Sequence, residues 1–256
     1  MMRAVIIGSG NVAEALARAL PKAGVSVVQI AARNRVRGAE VAALAGAAYT
    51  CDLSQTAAAD IYIAAVSDRA VGEVFAPVTL PEGAVAVHVS GAQPLEALPA
   101  KFARRGVVYP LQTFTAGREV DFAEIPMFIE GSDPATTEFL KTFAGRLSRK
   151  VSIASSEQRA RIHLAGVFAC NFVNAMYAAG GDVLRGAEIP FGVLGALIAE
   201  TARKAAASGD PRTVQTGPAV RGDVASMRRH AELLTGDERL RDIYEMISEY
   251  IYERKL

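Results

Sequence analysis

The feature that narrows the fold most lies at the start of the chain. There the apolar run Met2-Arg3-Ala4-Val5-Ile6-Ile7 breaks into Gly8-Ser9-Gly10-Asn11-Val12-Ala13 and then into an alanine-rich helical pattern. A strand that leaves through two glycines into a helix has the form of a dinucleotide-binding turn. Gly8 permits the tight exit, Gly10 lets backbone come close to a pyrophosphate, and Ala13 is small enough for helix to pack on strand. Val12, Leu16 and Leu20 recur at helical spacing, so the helix N-terminus points its free N–H groups and partial positive charge at the loop, where an anionic phosphate would sit. Ser9, Asn11 and Val12 complete this candidate cofactor loop. An ordinary tight strand-to-helix connection would use glycine in the same way.

The end of the next strand bears on which nucleotide fits. Gly24 closes the first helix, and Val25-Ser26-Val27-Val28-Gln29-Ile30 leads into Ala31-Ala32-Arg33-Asn34-Arg35, with no acidic residue before Glu40. An NAD site uses Asp or Glu here for the ribose 2′-hydroxyl, whereas a 2′-phosphate is accommodated by arginine. Arg33 and Asn34 are therefore expected to favour NADP, Arg33 the more strongly because its guanidinium can bond phosphate in two places. With Arg35 and Arg37 close by, a solvated basic loop is the alternative.

Composition excludes several classes. With 256 residues, 51% of them hydrophobic, and a net charge of +1, the chain can bury a large core and carries no basic footprint for nucleic acid. Cys51 and Cys170 are the only cysteines and lie far apart, so neither a disulfide framework nor a metal site is indicated, and a cytoplasmic location fits. The first apolar run stops at Gly8, and no uninterrupted apolar segment approaches membrane-spanning length, so the chain is expected to be neither secreted nor membrane-bound.

Short apolar strands then alternate with helical segments: Ile61–Val66, Ala84–Val89 and Gly106–Tyr109, followed by Met127–Ile129 and Val151–Ile153 with a helix over Pro134–Leu147 between them. Such runs suit a parallel sheet covered on both faces. From Ser155 onward the pattern is helical: Ser155–Leu184, Val193–Ser208, Val224–Leu234 and Glu238–Glu253, with Gly180-Gly181 a point of interruption. The expected architecture is α/β: an N-terminal Rossmann-type doubly wound sheet (1–153) that binds NADP, then an all-helical domain (154–256) for substrate and dimerisation.

In such a fold the nicotinamide belongs beyond the carboxyl ends of the fourth and fifth strands, beside Val66-Ser67-Asp68 and His88-Val89-Ser90-Gly91. Ser90 can exchange hydrogen bonds with a ligand or cap a turn, and Gly91 leaves room for close approach. His88 lies within a strand and suits a satisfied core position. Asp68 either lines the cofactor or caps the helix that follows. On the long helix, His163, Val167, Cys170 and Asn174 recur at three- and four-residue spacing, with Asn171 at the edge of that face. If this face closes the cleft, His163 can act as general acid, since imidazole exchanges protons near neutral pH, and Asn171 can hold the substrate oxygen or the carboxamide. The same groups could instead tie helices together. Near the end, Thr216-Gly217-Pro218-Ala219-Val220-Arg221-Gly222-Asp223 reads as a carboxylate pocket anchored by Arg221, with Asp223 either holding that arginine or capping the next helix. Gln112 joins Gly91, Asn174, Arg221 and Asp223 as candidate substrate contacts. His230 follows Asp223 on that helix and suits a surface or helix-contact role.

GSGNVA, AAVSDRAV, HVSGA, YPLQTF, HLAGVFACNFVNAMY and TGPAVRGD together resemble a family of Rossmann-like NADP oxidoreductases with a C-terminal helical domain of unknown function. That family is similar to the superfamily of pyrroline-5-carboxylate reductase, ketopantoate reductase, 3-hydroxyisobutyrate dehydrogenases and deazaflavin-linked NADP reductases. The resemblance spans nearly the whole chain, and HVSGA and TGPAVRGD are its most specific parts. It implies an NADP-dependent oxidoreductase fold, and the reaction expected of the chain is hydride transfer from NADPH to a small carbonyl or imine compound. The related hydroxyacid dehydrogenases carry a catalytic Lys four positions before an Asn on their interdomain helix, whereas Val167 stands four before Asn171 here. Pyrroline-carboxylate reductases do without that lysine, which leaves imine reduction open. The competing reading is a non-catalytic NADP-binding sensor or regulatory module, and a third is a scaffold with a vestigial nucleotide site, against which the intact GSGNVA argues. The apolar stripes of the helical domain imply a homodimer.

Overall fold

The computed structural model describes residues 1–254. Eight strands, β1 (Met2–Ile7), β2 (Val25–Ala31), β3 (Ala48–Thr50), β4 (Ile61–Ala64), β5 (Val85–His88), β6 (Arg105–Pro110), β7 (Met127–Gly131) and β8 (Val151–Ile153), form one sheet. Their order is β3-β2-β1-β4-β5-β6-β7-β8. The portion from β3 to β6 is parallel and has the doubly wound order, with its switch point between β1 and β4. Successive β1 residues serve opposite faces. Ala4 and Ile6 join Leu16, Leu20, Ile63, Val85 and Leu140 in one core, while Val5 and Ile7 join Tyr62, Val71, Phe75, Leu98 and Val107 in the other.

Two features depart from the sequence expectation. β3 is too short to stand out from its surroundings, and β7 runs antiparallel to β6, with β8 parallel to β7. The link between β6 and β7 contains only a 3₁₀ turn at Phe122–Glu124. A parallel return needs a crossover long enough to recross the sheet, and none is present there.

By its contacts the chain forms two compact units, Met1–Cys170 and Asn171–Leu256. This division falls inside the long helical run. The first unit contains α1 (Asn11–Lys22), α2 (Arg35–Ala45), α3 (Val71–Val74), α4 (Pro134–Gly145) and α5 (Ser156–Gly166). α5 begins with a complete capping box: Ser155 accepts from Gln158 N–H, and the Gln158 side chain accepts from Ser155 N–H. The cap is Ser155, whose partner Gln158 stands at the third helical position, as the reciprocal pair of bonds requires.

The next six residues, Val167–Phe172, wind as a π-helix. A π-helix bonds i to i+5, so the 3.6-residue register does not carry through it. The single face expected for His163, Val167, Cys170 and Asn174 is broken at that point. The run Ser156–Arg185, 30 residues with mean hydropathy 1.3 over its most apolar window, is long and apolar enough to cross a membrane by length and composition. His163, Asn171 and Asn174 interrupt it, so it is not an uninterrupted apolar segment.

The second unit comprises α6 (Val173–Arg185), α7 (Gly195–Ala207), α8 (Pro218–Arg221), α9 (Val224–Leu233) and α10 (Glu238–Glu253). α6 continues through Gly180 and Gly181; Leu194 and Phe191 lie where side chains on those glycines would point. Among its described residues only Ala219 is buried, while Leu197, Leu233, Met246 and Tyr250 are exposed.

Candidate active site

The turn after β1 requires glycine at its first position. Gly8 has φ +123°, and a Cβ there would lie 2.2 Å from the Ala65 carbonyl oxygen, so the strand end and the β4 loop could not both keep their places. Gly10 is the N-cap of α1 and has no side-chain cap; a Cβ there would meet nothing within 4 Å. The start of α1 thus has open space beside Gly10 and no side chain capping its first N–H groups, as a phosphate-binding helix end requires. Ala13 is buried. Asn11 donates from Nδ2 to Phe114 O at 3.0 Å, tying the loop to the segment after β6.

Glu14, which the sequence reading passed over, is buried in the first turn of α1. A bare carboxylate there would repel a phosphate. It is neutralised by Arg18 at 2.9 Å, by the Gly117 N–H at 3.0 Å and by a close ion pair with Arg37. Burial works against ionisation, but the bonds from Arg18, Gly117 and Arg37 outweigh it and hold the carboxyl below the usual carboxylate range. Arg37 also bonds Glu40 and is thus committed within the protein. Asn34 caps α2 through Arg37 N–H at 3.0 Å. Arg33 and Arg35 are exposed, which leaves their guanidinium groups available at the end of β2. This part of the chain fits a dinucleotide carrying an extra phosphate.

Beyond β4, Ser67 and Asp68 are exposed and Val66 is half-buried. Asp68 opens a 3₁₀ turn that has no side-chain cap, so its capping role is not taken up. Beyond β5, His88 is fully buried and neutral. Its Nδ1 accepts from Ser90 N–H at 3.2 Å, and Nε2 donates to Pro94 O at 3.2 Å. Burial, then the nearby charge of Arg159, push it down to about 4. Ser90 is buried, and its Oγ accepts from Ala92 N–H at 3.1 Å and Gln93 N–H at 3.0 Å. These bonds build the turn, the alternative left open for Ser90 in the sequence.

A second network, also missed in the sequence, anchors this turn from below. Arg159 is fully buried; it bonds Glu130 closely and donates to Gln93 O at 2.6 Å. Ser156 Oγ donates to Glu130 at 2.7 Å and accepts from Leu95 N–H at 3.0 Å. An arginine three positions after Ser156 at the start of an apolar helix was the available signal.

The turn so fixed presents Gly91 to two aromatic rings. A Cβ on Gly91 would fall 2.6 Å from Tyr109 Cζ and 2.8 Å from His163 Nδ1. Tyr109 Oη and His163 Nδ1 are 3.2 Å apart, and the rings meet edge to face at 6.0 Å. Gly91, Tyr109 and His163 thus converge at the carboxyl ends of β5 and β6, with Tyr109 absent from the sequence prediction.

The remaining candidates do not join this cluster within the first unit. Gln112 is exposed and accepts from Thr113 N–H at 2.8 Å. Asn171, Asn174 and Arg221 are exposed in the second unit. Asp223 caps α9, accepting from Ser226 N–H at 3.0 Å and Oγ at 2.7 Å, which is the capping option and not a hydrogen bond to Arg221. His230 bonds the Tyr244 hydroxyl at 2.8 Å, a helix contact. Among the described residues no group of three or more His, Cys, Asp or Glu is arranged to hold a metal ion.

Fold and site define a dinucleotide-binding oxidoreductase built from a Rossmann unit and a helical unit. Residues 3–90 match the family described as NADP oxidoreductase, coenzyme F420-dependent, and residues 125–251 match a domain of unknown function, DUF2520. A candidate NADP oxidoreductase from Bacteroides fragilis is 41% identical, with 99% of this chain and 98% of that chain covered and a TM-score of 0.92. The chain belongs to the same family of NADP oxidoreductases. Protein TM1727 from Thermotoga maritima is 22% identical over 98% of this chain and 97% of that one, with a TM-score of 0.75. A reductive aminase from Aspergillus terreus, solved with NADPH and ethyl-5-oxohexanoate, is 15% identical over 100% of this chain and 95% of that one, with a TM-score of 0.67. The last two likenesses are of fold. No curated protein matches the chain.

Proposed function

We propose that the protein reduces a small carbonyl or imine compound with NADPH, His163 supplying the proton. The carrying observation is the convergence of Gly91, Tyr109 and His163 at the carboxyl ends of β5 and β6, the side of the sheet where ligands of doubly wound folds bind. The open helix end at Gly10 and the free Arg33 would hold the pyrophosphate and the 2′-phosphate. When bound, NADPH supplies the hydride for the carbon of a C=O or C=N bond. His163 gives one proton to the heteroatom, and the imidazole takes one back from water. The buried turn at Ser90 and the salt bridge beneath it keep Gly91 and the imidazole in register. An imine fits the absence of a lysine at Val167, because its nitrogen is already basic. The reductive aminase of similar fold, solved with NADPH and a ketone, supports this substrate class.

Asn171, Asn174 and Arg221 are proposed as substrate contacts. A homodimer is proposed because the second unit has a single buried residue among those described; helices with so little core of their own need their apolar faces covered. A second copy would also cover the apolar stripe of the 156–185 run and is consistent with a cytoplasmic protein. Light scattering that gives a monomer at micromolar concentration would remove the dimer.

The test is titration with NADPH and NADH followed by nicotinamide fluorescence, then a screen of keto acids and cyclic imines. Selective NADPH binding that Arg33→Asp shifts toward NADH, with turnover lost in His163→Ala, is the expected result. Binding without turnover on any substrate would favour the sensor reading, and no binding of either nucleotide would overturn both.

A further inference from the structure

The contact between Tyr109 and His163 leaves one imidazole nitrogen unused. Nδ1 faces the phenol at 3.2 Å, whereas Nε2 has no hydrogen-bond partner among the described residues. His163 is half-buried, and its unpartnered Nε2 is not among the described polar atoms sealed from solvent, so it is open to a ligand or to water. We infer that Tyr109 is the positioning residue of His163: its hydroxyl holds Nδ1 and thereby makes Nε2 the nitrogen that carries the transferable proton. This rests on the proton-donor reading given above for His163.

Three observations support the inference. Burial, and then the negative charge of Asp68, push the Tyr109 phenol up, so the hydroxyl keeps its proton and can donate it to a neutral Nδ1. No other acceptor takes that proton among the bonds of the described residues, and a donor satisfied by Nδ1 selects the Nε2–H tautomer. The ring of Tyr109 is itself fixed, packed against Phe128 with centroids 6.5 Å apart and against the face of Gly91. A methyl group at position 91 could not fit between the two rings.

A hydroxyl serves both charge states because it can donate or accept. In the resting neutral ring Tyr109 donates to Nδ1. When it is an imidazolium, Nδ1–H donates to the phenol oxygen and Nε2–H points away from it. In the transfer the Nε2–H bond of the imidazolium breaks as the substrate oxygen or nitrogen gains its proton, leaving a neutral ring that keeps Nδ1–H and donates it to the Tyr109 oxygen. Water then returns a proton to Nε2.

The test replaces the hydroxyl alone. Tyr109→Phe keeps the ring contacts, and long-range ¹H–¹⁵N spectra of the free protein report the tautomer of each of the three histidines. The expected result is a neutral His163 in the Nε2–H form in the parent protein, a mixture of tautomers in Tyr109→Phe, and an unchanged His88 signal, since His88 is held by Ser90 and Pro94. With 1-pyrroline and pyruvate as probes, turnover should fall on the order of tenfold or more, as when a histidine loses the partner that fixes its tautomer, while NADPH affinity stays the same. An Nδ1–H tautomer in the parent, or the same tautomer in both proteins, overturns the positioning role. Turnover that survives His163→Ala overturns the proton-donor reading itself, a separate outcome from either spectrum.

Discussion

Breaking the buried pair between Arg159 and Glu130 should cost more from one side than from the other. The Arg159 side chain is 0% exposed and that of Glu130 is 19% exposed. In Glu130→Leu the guanidinium stays buried with no counter-charge, and its Nε already lacks a partner; an uncompensated buried charge of this kind costs about 3–5 kcal/mol. In Arg159→Met the carboxylate that remains is partly hydrated and still accepts from Ser156 N–H at 3.1 Å and Oγ at 2.7 Å. The main loss is then the donor to Gln93 O, about 1–3 kcal/mol. The double variant contains neither charge and should be more stable than Glu130→Leu alone, with a coupling on the order of 1–3 kcal/mol. Urea and thermal unfolding of the full chain, followed by far-ultraviolet circular dichroism, measure all four corners of the cycle. At roughly 2–4 °C per kcal/mol for a protein near this size, Glu130→Leu should lower Tm by about 6–20 °C. Additive losses, or an Arg159→Met variant less stable than Glu130→Leu, would refute the reasoning.

His88 makes stability depend on pH. Its folded value of about 4 lies below the ordinary histidine value of about 6.5, so between these limits the unfolded chain binds the proton and the native state does not. Stability from this group is complete above about pH 6.5 and is lost as pH falls toward 4, by roughly 3 kcal/mol in all. Urea midpoints measured from pH 4 to 7 should show a steeper fall for the parent than for His88→Gln, and parallel curves would sink the assignment. The two glycines of the first turn should separate stability from binding. Gly8→Ala places a methyl against the Ala65 oxygen at φ +123°, which should lower Tm and abolish NADPH binding, the strained backbone alone costing about 1–3 kcal/mol. Gly10→Ala meets no protein atom, so Tm should hold while NADPH affinity falls; unchanged affinity would remove Gly10 from the phosphate site.

Much of the nucleotide half was legible in the linear chain because its signals are local. A glycine needed for a positive φ, a helix start with free N–H groups, and the lack of an acid after β2 each depend on a few neighbouring residues. The terminal helix was read at its observed limits, Glu238–Glu253, for the same reason: its amphipathic period is a property of one segment. Tyr109 was not legible as a site residue, since nothing near it in sequence predicts a partner 54 positions away. Glu14 was not legible either, since what singles it out is the closure of Arg18, Arg37 and Gly117 around it.

The sequence by itself determined the class of fold and the nucleotide turn, because periodicity and backbone conformation are set by residues adjacent along the chain. Only the tertiary structure decided the π-helical break after Gly166, the buried Arg159–Glu130 pair and the meeting of Gly91, Tyr109 and His163. Each depends on which distant segments share space. Hydrogen bonds and charges act over a few ångströms, and a one-dimensional pattern does not record those distances.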